Sequence, residues 1–103
     1  MSAPNVHRGE ASIKVGGEQL VLRPSFGALV AAEDELGSLF ELVERAVEGA
    51  LKLGQIATLF DHLSRGRPEA ITRERIGEAV VEMGLAGVTP TLKLVLTQIL
   101  QGR

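Results

Sequence analysis

The chain has 103 residues, with 11 Lys or Arg against 13 Asp or Glu and a formal net charge of −2. That length suits a single domain able to bury a real core, and the mild acidity gives no electrostatic reason to expect nucleic acid or an anionic membrane. The absence of cysteine excludes a disulfide framework and a thiolate metal site, and the scarcity of aromatics (Phe26, Phe40 and Phe60 only) argues against base-stacking platforms and aromatic cages.

Met1–Arg8 is polar and reads as a loose N-terminus, without the basic region and apolar stretch of a secretory signal. From Gly9 to Arg23 the pattern predicts a β-hairpin. With Gly16-Gly17 as a two-residue loop, Val15 pairs with Glu18, Ile13 with Leu20 and Ala11 with Leu22. Apolar side chains then share one face, Ser12, Lys14 and Gln19 take the other, and Val21 interrupts that polar face. An isolated hairpin is marginal in water, so its apolar face must lie on helices, or its edges must pair with another chain.

Helical spacing follows. Ser25 caps a predicted helix from Phe26 to about Leu36, with Phe26, Leu29, Val30 and Leu36 as its apolar set and Gly37 as its stop. Ser38-Leu39-Phe40-Glu41 has the form of a capping box, opening a helix with Leu39, Leu42, Val43, Ala46 and Val47 inward and Gly49 at its end. A third helix is expected over about Leu53–Ser64, with Leu53, Ile56, Phe60 and Leu63 as its stripe. A polar loop containing Pro68 leads to a fourth, capped by Thr72, with Ile76, Ala79, Val80 and Met83 inward and Gly84 after it. Thr89-Pro90 reads as a cap and first helical position, starting the last helix at about Pro90 and running it to Gln101. Glycines at 27, 54 and 77 fall within or near helices, where each costs up to about 1 kcal/mol against alanine unless close packing offsets it. The fold class is therefore α+β, mainly α: residues 9–103 form one domain, a hairpin over 9–23 and a helical part over 25–101. The apolar runs are far shorter than a membrane span.

The sequence offers little chemistry. His7 and His62 lack metal-ligand spacing, and Glu33-Asp34-Glu35 reads as a solvated helix face, since calcium loops need spaced ligands. Gly16-Gly17 is followed by a strand and lacks the Lys-Ser/Thr ending of a phosphate loop; serines and threonines sit mainly at caps. No catalytic, cofactor-binding or metal-binding residue is assigned, and no enzyme activity is expected. Arg65, Arg67, Arg73 and Arg75 flank a connection between helices and carry the best argument for a small DNA-binding regulator. Against it, the connection is longer than a helix-turn-helix turn, and Pro68, Glu69 and Glu74 dilute the charge. The last helix is apolar nearly all round: Leu92, Val95, Leu96 and Ile99 form one face, Leu94 lies off it and Leu100 widens it. Such a helix is either central in its domain or presented to a partner, which makes Leu92, Leu94, Leu96 and Leu100 the candidate partner-binding residues.

The lead-in Arg8-Gly9-Glu10, the Gly16-Gly17 hairpin and the helix start Pro24-Ser25-Phe26-Gly27-Ala28-Leu29 resemble a small family of tailed phages and gene transfer agents. Its members resemble siphophage tail assembly chaperones and are sometimes labelled tail tube proteins. The sharp part of the resemblance covers about the first 37 residues; the rest agrees in general layout. It implies a non-enzymatic protein of the host cytoplasm that binds the apolar tape-measure protein, keeps it soluble until tail tube subunits take its place, and is absent from the mature particle. An open hairpin edge would then support a homo-oligomer. The alternative within the same setting is a tail tube or other structural tail component, although tube proteins generally rely on extensive β-sheet.

Overall fold

A computed structural model describes residues 11–102. The expected loose N-terminus, the first two hairpin residues and the Arg8-Gly9-Glu10 lead-in lie outside the described residues. Strands β1 (Ala11–Val15) and β2 (Glu18–Leu22) pair antiparallel in the register that the two-glycine loop implies, with Val15 opposite Glu18, Ile13 opposite Leu20 and Ala11 opposite Leu22. Gly16 and Gly17 take φ of 59° and 85°, the left-handed pair that a tight turn of this hand requires. Ala11, Ile13, Val15, Leu20 and Leu22 are buried, while on the opposite face Gln19 Nε2 donates to Ser12 Oγ at 3.0 Å.

Five helices follow: α1 (Phe26–Leu36), α2 (Leu39–Val47), α3 (Leu53–Leu63), α4 (Arg73–Met83) and α5 (Leu85–Gln101). Their contacts form a closed cycle, α1 on α3, α3 on α4, α4 on α5, α5 on α2 and α2 on α1. The hairpin lies on this cycle, β1 against α4 and α5 and β2 against α3, and Arg23 N donates to Leu63 O at 2.7 Å at its exit. Phe60, Leu59, Ile76, Val80, Val95, Leu22 and Leu42 fill the centre. The apolar face of the hairpin thus covers a helical core, as one of the two readings of its role requires.

Three local expectations need correction. On α1 the buried pair is Ala28 and Ala32, while Phe26 is 83% exposed and Val30 is also exposed. Small side chains allow the closest approach to α3, so the alanines at i and i+4 take the inner face and turn the larger residues outward. On α2 only Leu42 is buried, and Val47 is 83% exposed. The capping box is also incomplete: Ser38 Oγ accepts from Glu41 N at 3.5 Å, but the second partner is Glu33, whose Oε2 accepts from Leu39 N at 3.1 Å. Hence Glu33 joins α1 to α2 and is not merely part of a solvated face.

The start of α5 moves furthest. Gly84, at φ 80°, ends α4 by donating to Val80 O and Val81 O and at once accepts from Val88 N. The chain turns by 117° there, and α5 begins at Leu85, leaving Pro90 inside the helix. Burial of Val88 anchors the extra turn. Thr89 is no cap; its hydroxyl donates back to Leu85 O at 2.6 Å, while Pro90, lacking an N–H, cannot serve the carbonyl of Ala86. Gly54 and Gly77 are not demanded by packing: an added Cβ would meet nothing at Gly54 and only ordinary contact with Ala57 at Gly77.

Candidate partner-binding surface

The structure separates the four candidate leucines. Leu96 is 7% exposed, Leu92 and Leu94 are half-buried and packed against the core, and Leu100 is 55% exposed. Leu92, Leu96 and Leu100 recur at fourfold spacing along one face of α5 and line a groove shared with Val43, Ala46 and Val47 of α2. Leu94 does not line it. The groove holds about 320 Å³ and continues into a second hollow where Leu39, Phe40 and Val43 meet Ile99 and Leu100. Phe40 and Val43 share the second hollow with Ile99 and Leu100, while Ala46 and Val47 line only the first, which reaches back along α5 to Thr89, so α2 and α5 run antiparallel.

The groove is open and its lining mostly apolar. Val47 and Leu100 stand out of it, and Phe40 is 73% exposed. Phenylalanine is among the residues enriched at protein interfaces. Lys93 is the charged residue among the lining of the α2–α5 groove. Sequence reasoning found the α5 half and missed the α2 half. Its signal was present: Phe40, Val43 and Val47 at i, i+3 and i+7 form a stripe beside the inward set Leu39, Leu42 and Ala46.

The arginine cluster between α3 and α4 is occupied internally. Arg73 makes ion pairs with Glu35 and with Asp61, the latter at 2.8 Å. Arg67 pairs with Asp61 and donates to Asp61 O, Ser64 Oγ and Ile71 O at 2.9, 3.1 and 2.6 Å. Arg65 donates to Gly27 O at 3.1 Å and Arg75 to Ala70 O at 3.3 Å. His62 completes the network, its Nε2 lying 2.8 Å from Glu35 Oε1. The hydrogen bond from Arg73, with that of His62 second, holds the Glu35 carboxyl down at about 2 from an ordinary 4.5, and the same bond to Glu35 raises Arg73 further. These arginines tie α1, α3, the 64–72 connection and α4 together: Arg67 and Arg73 are paired with carboxylates, and Arg65 and Arg75 hydrogen-bond to backbone carbonyls. Among the described residues, no group of three or more His, Asp or Glu side chains gathers as metal ligands, and no single helix is long and apolar enough to cross a membrane.

A sequence profile of the family described as "Phage tail tube protein, GTA-gp10" matches residues 8–102. The chain belongs to this family. The match takes in the hairpin and all five helices, well past the 37 residues that carried the sharp part of the resemblance. No curated protein and no solved structure matches the chain. Membership places the groove in a tail protein of a phage or gene transfer agent, in a family described by a structural component and not by a reaction.

Proposed function

We propose that this member of the tail family is an assembly chaperone that holds an apolar helix of the tape-measure protein in the α2–α5 groove. The carrying observation is that groove itself: Leu92, Leu96 and Leu100 face Val43, Ala46 and Val47 across an open apolar channel. An amphipathic helix laid into such a channel is read through anchors one turn apart, and the chain needs no catalytic group to shield it. On this reading the protein works in the host cytoplasm, releases its client when tail tube subunits arrive, and is left out of the finished particle. Leu94, half-buried against the core, lies off the groove and is left out of the binding face on this reading.

A tail tube or other structural role is the second reading, and the family description favours it. The paucity of strand favours the first: among the described residues, one two-stranded sheet offers little of the β-structure from which tubes are generally built. Two measurements separate them. A tagged tape-measure protein should retain the chain during purification from cells, and purified particles should contain it in trace amounts at most. Stoichiometric presence in particles, with no retention by the tape-measure protein, establishes the structural role instead.

A further inference from the structure

We infer that, without a client, the α2–α5 face is covered by a second copy of this chain, in a two-fold dimer that lays α2 of each copy across α5 of the other. The inference borrows from the proposed function only that this face binds a partner; the occupant is argued from the charges on its two lips.

Phe40, Val47 and Leu100 leave the face apolar and open in every copy of the chain. Along α2, Glu44 and Glu48 each follow a lining valine by one residue, Val43 and Val47, and both are exposed. One residue is 100° of helical turn, which sets both carboxylates on the outer lip. The facing lip, on α5, carries Lys93, also exposed. Among the described residues none of these three takes part in an ion pair. The face therefore has an acidic lip and a basic lip, neither of them ion-paired among the described residues.

Two closed arrangements can bury this face on itself, because a two-fold interface must be self-complementary. An axis running across the helices stacks α2 on α2 and sets each pair of glutamates over the other's acidic helix. An axis running along the helices lays α2 over the second copy's α5 and keeps every residue at its own level. Val47 and Lys93 line the same groove, and α2 and α5 run antiparallel. Glu44 and Glu48 of each copy then meet Lys93 of the other, twice per dimer, while Val47 and Phe40 settle on the apolar residues of the opposing α5. Complementary charge selects the second arrangement. A client helix must displace the second copy, so self-association and client binding compete for one surface.

Sedimentation of the full chain over a wide concentration range tests this, with circular dichroism confirming that each variant is folded. The wild type should show a monomer–dimer equilibrium. Lys93→Glu turns two attractive contacts repulsive and should weaken it by roughly tenfold or more, as should Glu44→Lys with Glu48→Lys. The triple variant, with both lips reversed, should dimerise again. A chain monomeric throughout, a dimer indifferent to the single-lip reversals, or a triple variant no tighter than they are, would each overturn the inference. Retention by the tape-measure protein separates it from the proposed function. A monomer that holds the client sinks the dimer alone, and a dimer obeying the charge swaps without client retention sinks the chaperone reading alone.

Discussion

Single side chains do two kinds of work here, capping and cross-linking. Ser25 Oγ accepts from Ala28 N at 3.3 Å at the start of α1. Replacing it with alanine should cost about 1 kcal/mol, read from urea unfolding, because one helix-end donor loses its acceptor. Glu35 illustrates cross-linking and sets a pH dependence. Its carboxyl has a lower affinity for protons in the folded chain, about 2 against 4.5, so the ionised form favours folding. That contribution is complete above about 4.5 and is lost as the pH falls towards 2. A Glu35→Gln chain should therefore be less stable than wild type at neutral pH and should show a shallower loss of stability on acidification. Equal slopes for the two chains would show that the carboxylate is not coupled to Arg73 in solution.

At the scale of elements, the hairpin was legible down to its register because two independent signals agreed: the two-residue glycine loop and the period-two alternation of Ala11, Ile13 and Val15. Helix ends at Ser25, Thr72 and Gly84 were legible because capping is local chemistry. The start of α5 was not, because Thr89-Pro90 carries a strong local signal that burial of Val88 overrides. The side of α1 that faces inward was also hidden, since size alone favoured Phe26 and Val30 over Ala28 and Ala32. Pro90→Ala tests the longer α5. With Pro90 inside the helix, the substitution restores a donor for Ala86 O and should raise stability by up to about 3 kcal/mol; were Pro90 the first helical residue, it would gain nothing. Calorimetry on the two chains distinguishes these outcomes.

For the whole molecule, the main asymmetry is between a filled centre and an unfilled flank. Leu42 and Val47 share α2, yet Leu42 is 2% exposed and Val47 83%. Leu42→Ala should cost about 2–5 kcal/mol through lost burial and the cavity left behind, whereas Val47→Ala should change stability by less than about 0.5 kcal/mol. The sequence disclosed a surplus of apolar helix, and its C-terminal leucines pointed to half of the surface. It could not disclose the groove, which exists only because the cycle of helices sets the outer stripe of α2 beside α5. The ion pairs of Arg67 and Arg73 were equally invisible, since their partners Glu35 and Asp61 come from α1 and α3. The most direct measurement is the soluble yield of the tape-measure protein when co-expressed with this chain or with its Val47→Asp, Leu100→Asp double variant. Both substitutions fall on exposed positions, so the variant should remain folded. The wild-type chain should raise the soluble yield and the variant should not; equal yield with either chain, or with neither, would contradict the claim that the α2–α5 face is the binding surface.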